Sequence, residues 1–203
     1  MKTHRLEAFS DGVIAILITI MVLELPAPRG VELAALQPVI PVLLAYLLSF
    51  VMLGIYWNSH HHLFHAAEEL NGIVLWANLH LLFWLSLIPF ATAWMGKNHL
   101  AAVPTATYGT VLFMCGLAFW ILQNRITAHQ GPGSTLEKAI GHDRKGPFSV
   151  LLYAVAVPLA FVHPAIAGAI YVLVALIWLK PDRRIETKVL EAQESEAQDD
   201  ADS

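Results

Sequence analysis

Long apolar runs, broken by short polar or proline-containing stretches, dominate the chain. The first runs from about Leu6 to Leu25 and stops at Pro26-Ala27-Pro28-Arg29-Gly30. A helix needs roughly 17–25 apolar residues to cross the hydrocarbon, so this run predicts a transmembrane helix. It is not read as a signal peptide, because acids sit inside it and no small-residue cleavage site follows. A second span covers roughly Pro38 to Trp57, with Pro38 and Pro41 in its first turns, where proline is tolerated. A third covers Gly72 to Met95 and a fourth Ala101 to Gln123. A polar stretch from Asn124 to Gly146 follows, with Gly131-Pro132-Gly133-Ser134 and a short helix expected near Thr135–Ile140. The fifth and sixth spans are shorter, Phe148–Val162 and Pro164–Leu179, punctuated by His163-Pro164. Pro158 is expected to kink the fifth. The pattern predicts an all-α polytopic membrane protein of six transmembrane helices.

Composition agrees with that pattern. The chain is 57% hydrophobic and 14% charged, against about a quarter charged in a soluble domain. The net charge of −4 comes from the end of the chain. There Glu186, Glu191, Glu194, Glu196, Asp199, Asp200 and Asp202 face only Lys188. We therefore divide the sequence into a membrane domain, 1–184, and an acidic cytoplasmic tail, 185–203, expected to fray into disorder. The only cysteine is Cys115, which excludes an intrachain disulfide and a thiolate metal cluster. No basic patch supports nucleic-acid binding. Six spans put both termini on one side. Lys2, Arg5, Arg125, Lys138, Arg144, Lys145, Lys180, Arg183, Arg184 and Lys188 fall on that side, and Arg29 and Lys97 on the other. Lysine and arginine favour the cytoplasmic face, so both termini are expected to be cytoplasmic, in a cell inner (plasma) membrane.

Polar residues inside a span are costly and point to function or structural need. The first span holds Arg5, Glu7, Ser10, Asp11, Thr19 and Glu24. At about 100° per residue, Ile20 and Leu23 lie within about 40° of Ile16, Thr19 about 60° from it, and Asp11 about 140° away. One face is thus a row of branched aliphatics beside a hydroxyl, and the carboxylate looks elsewhere.

The run Arg5-x-x-x-Phe9-Ser10-Asp11, continued by Gly-Val-Ile-Ala-Ile, resembles the first-helix signature of the TMEM175 family of potassium channels in its bacterial form. Trp57-Asn58-Ser59-His60-His61-His62 is similar to the end of that family's second helix. Ile14 stands where many members have Phe. The resemblance implies a homotetramer in the lipid bilayer, with the first helix of each subunit lining a central pore for potassium and other monovalent cations. It implies a constriction of aliphatic side chains, not a ring of backbone carbonyls, and no cofactor. On this chain the constriction falls on Ile16, Ile20 and Leu23, with Thr19 as a pore-lining hydroxyl. Arg5, Phe9, Ser10 and Asp11 are implied to hold the first helix against the second and third. The residues agree independently: a narrow aliphatic ring can gate by dewetting, and Glu24 at the extracellular mouth would concentrate cations.

An ionised carboxylate in hydrocarbon needs partners. Asn78 and His80 lie at the depth of Asp11 in the third span, and Asn58 and His61 at the cytoplasmic end of the second. A structural network is therefore expected among Ser10, Asp11 and some of Asn58, His61, Asn78 and His80, with Arg5 nearby. His61 and His65 have the i, i+4 spacing of a zinc pair. One cluster lacks the separated histidine boxes of a membrane oxygenase, so no metal is assigned. Thr107-Tyr108-Gly109 looks like a carbonyl filter but starts an unbroken span with no pore helix before it. Walker, nucleophile-elbow and dinucleotide motifs are absent, so no enzyme is expected. The first reading is a potassium-preferring cation channel. The alternative is a proton-coupled or metal cation secondary transporter using Asp11 and the histidines. Against it, the first span has no Gly, Pro or charge at its centre, whereas transporters commonly bind ions on broken midplane helices.

Overall fold

A computed structural model describes residues 3–67, 70–131 and 145–179. The helices are α1 (Thr3–Ile20), α2 (Ile40–His65), α3 (Gly72–Ser86), α4 (Ile88–Lys97), α5 (Ala102–Gln130), α6 (Lys145–Val162) and α7 (Pro164–Leu179). Short 3₁₀ turns, Met21–Glu24 and Leu33–Val39, close α1 and lead into α2. Among the described residues, five helical segments are long and apolar enough to cross a membrane, Pro164–Leu179 being shorter. The short helix expected near Thr135–Ile140 and the acidic tail lie outside the described residues.

The elements follow from local chemistry, with two differences from the hydropathy pattern. α2 and α5 run on through His65 and Gln130, 26 and 29 residues, well past Trp57 and Gln123. Hydropathy marks the part of a helix that lipid favours, while backbone hydrogen bonding carries the helix on through polar residues. The third span is two helices, not one. The Leu87 amide turns back to the Trp84 carbonyl at 3.2 Å, and Pro89, with no N–H to give, fits the first turn of α4. Asn71 caps α3, its side-chain oxygen accepting from the Val74 amide at 3.0 Å. Helix α6 runs through Pro158.

α5 packs against α3, α4, α6 and α7, while α1 packs against α2, α3 and α4 at one side of the subunit. Gly109 gives α5 and α7 their close approach: a Cβ there would overlap the Tyr171 ring, whose hydroxyl donates to the Thr105 carbonyl at 3.1 Å. By contrast Ala165 and Ala169 are exposed and Gly168 faces open space. The buried alanines of α6 and α7 are Ala156, Ala160, Ala167 and Ala175.

Candidate functional site

α1 is two-faced. Leu6, Ser10, Ile14 and Leu17, then Met21, are buried against the rest of the subunit. On the other side Ile16 is 59%, Ile20 40% and Leu23 81% exposed, with Thr19 exposed among them. The aliphatic row read from the sequence is therefore an outward face without a partner among the described residues of its own subunit. Thr19 Oγ1 donates to the carbonyls of Ala15 (3.0 Å) and Ile16 (2.9 Å). Its hydrogen is thus turned to the backbone, and the oxygen presents lone pairs outward.

Two sets of contacts hold the buried side. The first is a buried, directional hydrogen-bond chain across three helices. His60 Nε2 donates to Asn78 Oδ1 at 2.8 Å, Asn78 Nδ2 to Ser10 Oγ at 2.9 Å, and Ser10 Oγ to the Leu6 carbonyl at 2.9 Å. Ser10, His60 and Asn78 are fully buried. The His60 ring stacks on Phe64 at 4.2 Å, and its Nδ1 has no hydrogen-bond partner among the described residues. The second set is a ladder down one stripe of α1. Thr3 Oγ1 donates to the Ala67 carbonyl at 3.3 Å, Glu7 accepts from His61 Nδ1 at 2.9 Å, and Asp11 accepts from Trp57 Nε1 at 3.1 Å. Positions 3, 7 and 11 share a stripe because residues four apart are neighbours on a helix. They run antiparallel to 67, 61 and 57.

The expected network is thus divided. Ser10 and Asn78 meet; Asp11 and His61 sit in the separate ladder, on Trp57 and Glu7. Asn58 is exposed, and His80 accepts from Trp84 Nε1 at 2.9 Å within α3. Arg5 and Phe9 are exposed, so neither fastens α1 within the subunit. Three partners lie outside the network expected from the sequence: His60, Trp57 and Glu7. The repeat 3, 7, 11 signals the ladder in sequence; nothing in the sequence signals that His60 turns inward.

At the other end of α1, Glu24 is not a free carboxylate. Lys97 Nζ reaches its Oε2 at 2.6 Å, with both side chains about half exposed. This pair puts the ends of α1 and α4 together. At the opposite end, Thr3 lies on Ala67 and Asn71 on His129 Nδ1 at 3.1 Å. Among the described residues, no three His, Cys, Asp or Glu side chains come together to hold a metal. Thr107-Tyr108-Gly109 lies within α5, so its backbone forms helix, not a row of free carbonyls.

A family model described as endosomal/lysosomal potassium channel TMEM175 matches residues 5–89. The chain is 53% identical over 191 residues to a protein of Chryseobacterium sp. (strain P1-3) named a potassium channel, covering 94% of this chain and all of that one. It is 30% identical over 196 residues to another so named from Streptomyces collinus, covering 87% and 91%. Its fold is similar to the crystal structure of a lysosomal potassium-selective channel TMEM175 homolog from Chamaesiphon minutus. The TM-score is 0.74 at 27% identity, over 87% of this chain and 96% of that one.

Proposed function

The chain belongs to the TMEM175 family, and from that membership and the bare face of α1 we infer that it is a potassium channel whose pore is lined by α1. Four copies surround the conduction axis, each contributing Ile16, Ile20 and Leu23 to an aliphatic collar. The carrying observation is the exposure of those side chains, 59%, 40% and 81%, opposite a face that is packed and hydrogen-bonded. A collar of this kind holds water poorly when narrow, and a small widening restores conduction. Partial loss of hydration costs a small cation more than a large one, which favours potassium over sodium. Thr19, with its oxygen outward, replaces part of the lost hydration. The described basic residues support cytoplasmic termini: Arg5, Arg125 and Lys145 lie at the end where α1 starts, Arg29 and Lys97 at the other. A proton-coupled exchanger is not favoured, because Asp11 is held by Trp57 at the helix flank, away from the aliphatic face.

The test is potassium flux into vesicles containing the purified protein. Potassium should move down its gradient without a counter-transported ion. Ile16→Ala should raise the flux severalfold or reduce the preference over sodium. Flux that requires a proton gradient, or a strictly monomeric protein, would overturn the proposal.

A further inference from the structure

Away from α1, the helices α2, α5, α6 and α7 surround a cavity of about 270 Å³. Its floor includes the buried side chains of Met52, Tyr56, Ser149 and Tyr153, and its rim is open at Trp120 and Asn124. Among the described residues, none of α1 and no charged side chain lines it.

Part of its polar lining is satisfied internally. Ser149 accepts from Trp178 Nε1 and donates to the Lys145 carbonyl, both at 2.8 Å. Thr127 donates to the Gln123 carbonyl at 3.0 Å. The rest is not. The hydroxyls of Tyr56 and Ser59 and the side-chain amides of Gln123 and Asn124 line the cavity and have no hydrogen-bond partner among the described residues. Tyr56 is the most telling of these, being only 9% exposed. Its hydroxyl opens onto the cavity, where the polar end of a ligand can pair with it. A cavity of ~150 Å³ takes up benzene, so this one has room for a ring with a polar arm.

We propose that this cavity binds a small uncharged amphiphile, a ring or short chain of about ten heavy atoms ending in a hydroxyl or amide, and that the occupant acts on α1 through α2. The lining among the described residues is uncharged and suits an uncharged ligand; Tyr56, Ser59, Gln123 and Asn124 receive its polar end, and Phe119, Trp120 and Trp178 receive its body. The action on α1 rests on the channel reading. Tyr56 and Ser59 face the cavity, while their neighbours Trp57 and His60 hold α1 through Asp11 and through Asn78 and Ser10. A ligand that shifts this turn of α2 shifts the mounting of the pore helix.

The probe is 4-bromobenzyl alcohol, whose bromine quenches nearby indoles, titrated into the full chain in lipid nanodiscs. Tryptophan fluorescence should fall with a saturable component above the linear partition into lipid. Trp120→Phe with Trp178→Phe should leave only the linear component. Tyr56→Phe, which keeps shape and fold, should weaken the saturable phase about fivefold or more. Ser59→Phe should fill the cavity and abolish it; if that variant does not fold, Tyr56→Phe and the tryptophan pair carry the test. No saturable phase, as in a cavity holding only water, or one indifferent to these substitutions, overturns the site. In vesicles, the probe should change potassium flux at least twofold. Binding without that change overturns the action on α1. Binding by a protein that carries no potassium flux counts against the channel reading and leaves the site standing.

Discussion

Replacing Asn78 with Leu keeps its size and removes the middle of the buried chain that joins α2, α3 and α1. Two hydrogen bonds are lost, His60–Asn78 at 2.8 Å and Asn78–Ser10 at 2.9 Å. In membrane proteins such bonds contribute about 0.6–1.7 kcal/mol each, so Asn78→Leu should cost about 1–3 kcal/mol. His60 then loses its one hydrogen bond, since Nδ1 already has no partner among the described residues, which favours the upper end of that range. Ser10→Ala removes two bonds, the one from Asn78 and the one to the Leu6 carbonyl within α1, and should likewise cost about 1–3 kcal/mol. The double variant cannot lose the Ser10–Asn78 bond twice. Its cost should fall short of additivity by about the energy of one bond. Unfolding in mixed micelles, followed by tryptophan fluorescence at one fixed subunit concentration, supplies the three numbers. Additivity within ~0.3 kcal/mol would show that the two side chains do not act on each other, and the chain as drawn would be refuted.

Lys97→Ala should uncover Glu24. Single-channel conductance should rise at low ionic strength, and the difference should vanish near 1 M salt, where charges are screened within about 3 Å. Because the pair is half exposed, the same change should alter stability by no more than about 1 kcal/mol, read as a small shift in thermal midpoint. Gly109→Ala should be strongly destabilising, about 1–3 kcal/mol, because its methyl overlaps the Tyr171 ring; a thermal melt shows the loss, and an unchanged midpoint would contradict the close approach of α5 and α7. Asn71→Ala should lower stability by about 0.5–2 kcal/mol through the lost cap of α3, whereas Asn71→Asp should largely preserve it.

The apolar runs were enough to recover the spans and their order, because lipid imposes a length and composition that a sequence displays directly. Residues near the ends of the runs were harder. Hydropathy falls at Trp57 and Gln123 although the helices do not stop there. The break before α4 was signalled by Pro89, which a smoothed apolar pattern conceals. For the site, the spacing of Ile16, Ile20 and Leu23 was legible because one helix decides it. The partners of Ser10, Asp11 and Glu7 come from two other helices, and their rotation is set by packing. For that reason Asn78 was placed at the right depth, while its partner was expected to be His61 and is the neighbouring His60. Glu24 was legible as an acid at the end of α1, but its neutralisation by Lys97 depends on a contact 73 positions away.

The anchoring of α1 is lopsided. Its side-chain hydrogen bonds to α2 and α3 fall between Thr3 and Asp11, whereas beyond that point it is held by apolar packing and by one exposed ion pair at Glu24. The element is a cantilever, clamped at its root. From Asp11 to Leu23 the length beyond those hydrogen bonds is about 19 Å. A pivot of about 5° at the clamp therefore sweeps the tip by about 1.7 Å. In the tetrameric pore proposed above, four such levers moving together would change the radius of the bore by up to about 1.7 Å, so a slight rearrangement at the root would be mechanically amplified at the aliphatic collar.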